Sequence, residues 1–178
     1  MSSSAEKSSQ TDQRSESFIS DVPWQDSPPD CLIICCSDHR FEQHIRDLAH
    51  HLNFKQPHVL QIPSGAVLSL PLASAFNFLS KAADKIIERI VEMKQVRDVI
   101  LVAHHDCGAY KAEKVPLVTN IIKRYTGKTI HDLQREHLAQ AAHRIRLGLR
   151  GVRVRAFFAD VVSEENSSRV RFDEVPVR

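Results

Sequence analysis

The run Cys31-Leu32-Ile33-Ile34-Cys35-Cys36 begins one residue after Pro28-Pro29 and ends in the polar Ser37-Asp38-His39-Arg40. A strand with one wet face alternates polar and apolar residues. A short run with no polar side chain reads instead as a strand covered on both faces, as a parallel sheet between helices requires. A second such stretch, Arg97-Asp98-Val99-Ile100-Leu101-Val102-Ala103, is the clearest strand in the chain.

The segments around these two runs supply the remaining elements. Phe41 to Asn53 carries Phe41, Ile45, Leu48 and Leu52 at helical spacing, and His58 to Ile62 reads as a short strand closed by the turn Pro63-Ser64-Gly65. Leu70 to Met93 reads as a long amphipathic helix with Leu72, Phe76, Leu79, Ala83, Ile86, Ile90 and Met93 on its inner stripe. Helices are expected near 111–124 and 130–149, the second stopped by Gly151 as a C-cap. Val152 to Val162 and Ser168 to Phe172 read as closing strands. Strands alternating with helices predict an α/β, three-layer fold with a mainly parallel central sheet of four to five strands flanked by helices.

Residues 1–28 differ from the rest: rich in Ser, Gln, Asp and Pro, they offer only Phe18, Ile19, Val22 and Trp24 for burial. They read as a flexible N-terminal tail or arm ahead of one domain over 29–178. A net charge of +2 gives no reason to expect nucleic acid or an anionic membrane as partner, and no apolar run approaches a membrane span. The start Met1-Ser2-Ser3-Ser4 shows no apolar signal core, so cytoplasmic residence is expected, with the four cysteines as thiols rather than disulfides.

In open α/β sheets the ligand site lies at the carboxyl ends of the strands, where strand order reverses. Cys36 through Arg40, Pro63-Ser64-Gly65 and His104-His105-Asp106-Cys107-Gly108 all arrive there. Thiolate and imidazole are preferred zinc donors, and the His104–Cys107 spacing lets one turn hold two of them while Cys36 approaches from the neighbouring strand. Three protein ligands leave a fourth position for water or for Asp38, the arrangement of a catalytic zinc. Asp38 and Arg40, two apart, can form a charge-assisted pair that holds the carboxylate off the metal, and Asp38 becomes a fourth ligand if the pair breaks.

Cys36-x-Asp38-x-Arg40 after one strand and His104-x-x-Cys107-Gly108 after a later one resemble the β-carbonic anhydrase family. Pro29, Leu32 and Ile34 stand at the family's offsets before Cys36, and the order of elements fits from Pro29 onward. The resemblance implies a divergent, minimal member: one Zn2+ per chain on Cys36, His104 and Cys107, with Asp38 and Arg40 as the catalytic dyad. It implies reversible hydration of carbon dioxide to bicarbonate by zinc-bound hydroxide, and a homodimer or higher homo-oligomer. Two departures bear on the pocket: Ser27 occupies the place of a family glutamine, with Gln25 two residues earlier, and Ile62-Pro63-Ser64-Gly65 replaces Arg-Asn-Ala-Gly. These leave open hydrolysis of a sulfur analogue such as carbonyl sulfide or carbon disulfide. A second alternative is an inactive, zinc-stabilised binding or regulatory domain.

Other candidates receive structural readings. Cys31 and Cys35 read as core fillers, because Cys35 and Cys36 point to opposite faces of a strand. His105 reads as a surface residue or a support for the metal ligands, Asp106 as such a support, and His39 as a weak proton-shuttle candidate. His44, His50, His51, His58, His131, His137 and His143 read as scattered surface or edge histidines. The basic residues Arg144, Arg146 and Arg150 read as favouring the end of a helix.

Overall fold

The computed structural model describes residues 18–24, 26–69, 77–111, 127–164 and 167–177. Among the described residues five strands form one sheet: β1 (Cys31–Cys35), β2 (Pro57–Gln61), β3 (Asp98–His104), β4 (Arg153–Glu164) and β5 (Ser167–Val175). Their order is β2-β1-β3-β4-β5, with every neighbouring pair parallel except β4 with β5. The expected fold class is therefore the observed one.

Each face of the two central strands is buried, and the pleat assigns alternate residues to separate cores. Leu32 and Ile34 join Val99, Leu101, Ala156 and Phe158 on one side. On the other, Cys31, Ile33 and Cys35 join Ile100, Val102, Phe157 and Ala159. Helix α1 (Glu42–His51) closes this second core with Ile45, Leu48 and Ala49. The first core is closed by α2 (Asn77–Lys94) and, after the short α3 (Gly108–Lys111), by α4 (Ile130–Gly148). A continuous apolar strand is thus the signature of a sheet with two covers.

The inner face of α2 matches the expected stripe at Ala83 and Ile90 and departs from it at Ile86 and Met93, the Leu79 side chain lying outside the described residues. Ser80, Ala83, Ile87 and Val91 are buried, whereas Ile86 and Met93 are 54% and 60% exposed. The helix carries an apolar arc wider than the core uses, and docking selects the 80–83–87–91 side of it. Leu72 and Phe76 lie outside the described residues, as does most of the helix expected at 111–124. The ending of α4 also differs: Leu149 is its C-cap, and Gly151 (φ +75°) makes the turn into β4 instead. Arg144 on α4 binds Asp84 on α2, and Arg146 donates to the Val177 carbonyl at 3.1 Å, so these cations tie elements together. Phe18, Ile19, Val22 and Trp24 are all strongly exposed, and residues 1–17 and Gln25 lie outside the described residues. Among the described residues no helix is long and apolar enough to cross a membrane.

Candidate metal centre

After β1 the chain runs one way to β2 and later returns to place β3 on the other side of β1. The strand order therefore reverses between β1 and β3, and in open α/β sheets the carboxyl ends flanking such a reversal are where ligands bind. Cys36 follows β1 and His104 is the last residue of β3. The chain then turns through His105 and Asp106, the latter in the left-handed region at φ +62°, and brings Cys107 back beside His104. The ligand atoms of Cys36, His104 and Cys107 all lie within 4.8 Å of one another.

The geometry fits a tetrahedral zinc ion. Zinc–sulfur bonds of about 2.3 Å at the tetrahedral angle separate two sulfurs by about 3.8 Å. The Cys36 and Cys107 Sγ atoms stand 3.8 Å apart. His104 Nδ1 lies 2.7 Å from the His105 carbonyl, to which it donates in the tautomer that leaves Nε2 as an acceptor. Nε2 is buried without a hydrogen-bond partner among the described residues. A buried, unbonded ring nitrogen beside two sulfurs is the orphan that a metal would satisfy. The Phe41 ring packs on the His104 ring at 4.4 Å and helps to fix its plane.

Electrostatics separates the cysteines. The Cys107 thiol, acting against partial burial and aided by His104, holds the Cys36 thiol well below its ordinary range. Burial pushes Cys31 and Cys35 up to about 12, which keeps both as neutral core thiols. Burial alone would depress His104, but the Cys36 sulfur and the His105 carbonyl outweigh it and raise its pKa. A low-pKa thiol beside a basic imidazole is an environment ready for metal binding once the protons leave.

Asp38 and Arg40 meet beside this cluster. The Asp38 carboxylate accepts from Arg40 Nε at 3.0 and 3.1 Å and from Nη2 at 2.6 Å. It also accepts from the Arg40 backbone N–H at 3.1 Å, as the cap of the 3-10 turn His39–Phe41. Arg40 reaches a second carboxylate, Asp106, at 3.7 Å. The Arg40 guanidinium holds the Asp38 carboxyl down at about 2. The side chain of His39 is exposed on the same turn. Sequence reading missed Asp106 as Arg40's second anion and Phe41 as a wall of the site. Both are adjacent in sequence to residues it did name, and that adjacency was the available signal.

Gly65 supports the Cys36 segment from the β2 side. The Ile62 N–H donates to the Cys35 carbonyl and the Ser37 N–H to the Ile62 carbonyl, stitching the Ile62–Gly65 turn to the Cys36 segment. Gly65 adopts φ +59°, and a Cβ there would meet the Val102 carbonyl oxygen at 3.1 Å and Cys36 N at 3.2 Å. These are backbone atoms that cannot rotate away. Gly65→Ala is expected to cost about 1–3 kcal/mol in urea unfolding and to weaken zinc binding by displacing Cys36. Gly127→Ala shares the positive φ but meets nothing within 4 Å among the described residues, so it should lower stability and leave zinc affinity alone.

A mainly parallel α/β sheet with two sulfurs and an imidazole at its switch point defines the class: an α/β protein with a Cys2His metal-site geometry. Among solved structures, the β-carbonic anhydrase isoform I of the protozoan Trichomonas vaginalis is 11% identical, with 85% of this chain and 86% of that one aligned at a TM-score of 0.51. The carbonic anhydrase of Streptococcus mutans is 17% identical, with 84% of each chain aligned at a TM-score of 0.50. The chain has the β-carbonic anhydrase fold. No protein-family model and no curated protein matches the sequence.

Proposed function

We propose that the chain catalyses the zinc-dependent, reversible hydration of carbon dioxide to bicarbonate. The observation that carries this reading is the convergence of Cys36 Sγ, His104 Nε2 and Cys107 Sγ beside an Asp38–Arg40 pair. A purely structural zinc needs no such carboxylate next to it. Cys36, His104 and Cys107 would hold one Zn2+ per chain. When bound, the ion supplies a Lewis acid that lowers the pKa of water from about 15.7 to roughly 7.

The chain's own residues supply orientation. Asp38 stays ionised across the neutral range, because Arg40 holds its carboxyl at about 2. A carboxylate cannot donate, so Asp38 would accept a hydrogen bond from a water-derived nucleophile and orient it towards the carbon of the substrate. Arg40 bridges Asp38 and Asp106, and this tether would hold the carboxylate away from an ion bound by Cys36, His104 and Cys107. Phe41 closes one side of His104 and excludes water from its ring face. The proposed oligomer is a homodimer or higher assembly, in line with the exposed apolar residues Phe18, Ile19, Val22 and Trp24 of the arm.

Stopped-flow hydration by zinc-loaded protein between pH 7 and 9 tests the reading. Turnover well above the uncatalysed rate supports it. Background rates with stoichiometric zinc bound would leave a binding domain in its place.

A further inference from the structure

One strand over from Cys36, at the same carboxyl edge, three more ligand-type side chains meet. His105 follows β3, Asp160 lies on β4 just past Ala159, and His131 stands in the first turn of α4. Their ligand atoms all lie within 4.8 Å of one another. Asp160 Oδ1 is 3.8 Å from His105 Nδ1 and 3.5 Å from His131 Nε2. His131 Nε2 is itself buried and has no hydrogen-bond partner among the described residues. Metal bonds of about 2.0–2.2 Å at tetrahedral angles separate nitrogen and oxygen ligands by about 3.4 Å, just below both spacings.

We propose that His105, His131 and Asp160 form a second, weaker binding site for a divalent transition-metal ion. Two imidazoles and one carboxylate favour ions such as Zn2+ or Co2+ over Ca2+ or Mg2+, which prefer all-oxygen sites. The side chains of His105, His131 and Asp160 are 48%, 35% and 19% exposed, so an ion enters from solvent and water completes its coordination.

The scaffold around the three residues is fixed. Thr129 and Asp132 form a reciprocal capping box that sets the turn carrying His131. The His105 N–H donates to the Ala159 carbonyl at 2.8 Å, and the Phe158 ring lies edge-on to His131 at 4.7 Å. Among the described residues the cations Arg171 and Arg135 make their shorter contacts with Asp173. Arg171 and Arg135 both bind Asp173 at about 3 Å, and Arg171 approaches only the other Asp160 oxygen, at 4.0 Å. His105 thus belongs to both sites: its carbonyl orients His104, and its ring is a ligand of the second ion.

The test is a titration of untagged, metal-free protein with Co2+ alone, read by bound metal and by the thiolate-to-cobalt charge-transfer band that only a cysteine site produces. Wild type is expected to bind two equivalents, the band saturating with the first. His131→Ala is expected to weaken the second equivalent by at least about 100-fold while leaving the band intact. The Cys36→Ser/Cys107→Ser double variant is expected to lose the band and keep one equivalent, which separates this site from the cysteine centre. The inference is overturned if wild type stops at one equivalent, or if His131→Ala and Asp160→Asn both retain the second.

Discussion

Cys107→Ser protein is expected to purify with far less than one zinc per chain and with hydration reduced to background. Serine replaces a thiolate with a neutral hydroxyl, which does not ionise near neutral pH and is a poor zinc donor. The turn from His104 through Asp106 then offers a single ligand, and Cys36 and His104 alone cannot complete the centre. Zinc affinity should fall by at least about 1000-fold, or roughly 4 kcal/mol, measured by competition with a chromophoric chelator. Cys35→Ser is the matched control. Cys35 is buried in the core with Ile33 and Phe41 and its thiol is not among the converging ligand atoms, so that variant should lose stability and keep its zinc. Full zinc content and full turnover in Cys107→Ser would remove the centre from the mechanism.

Asp38→Ala separates metal holding from turnover. This variant is expected to retain one zinc per chain and to lose about 100- to 10,000-fold in kcat, the range for a positioned group that accepts a proton or its hydrogen bond. Arg40→Ala keeps the carboxylate but releases it from the bonds at 2.6 to 3.1 Å that restrain it. It should bind zinc at least as tightly as wild type and turn over poorly, as Asp38 becomes free to take the fourth position. The sign of the pH dependence follows from the same pair. The folded-state pKa of Asp38, about 2, lies below the unfolded value, so its contribution to stability is present above about pH 4 and is lost as pH falls toward 2. Asp38 therefore puts no limb into a rate profile between pH 5 and 9. A limb in that window that disappeared in Asp38→Asn would contradict the assignment, as would equal kcat in wild type and Asp38→Ala.

Legibility from sequence varied with the physics behind each feature. Unbroken apolar runs at Cys31–Cys35 and Val99–Ala103 announced doubly covered strands, because a run with no polar side chain leaves no face for water. Right-handed crossovers then placed Cys36 and His104 at one edge without any knowledge of helix positions. The stripe of α2 was legible only in part. Period 3.6 identifies an amphipathic helix, but when apolar residues cover more than half of its circumference, packing chooses the buried arc. Ile86 and Met93 satisfy the period and still face outward. His131 was read as a scattered surface histidine because its partners, His105 and Asp160, lie 26 and 29 positions away in sequence. No spacing rule links residues so far apart.

Local chemistry, in the end, specified the elements, the two half-motifs and which cysteines belong to the core. Each of these depends on neighbours within a few positions, where the geometry of a strand or turn is nearly invariant. Distances between segments came from assembly alone. These include the 3.8 Å between the Cys36 and Cys107 sulfurs, the reach of Arg40 to Asp106, and the meeting of β3, β4 and α4 around Asp160. Those separations depend on strand register and helix docking, which are set by burial summed over the whole core rather than by any single stretch of chain.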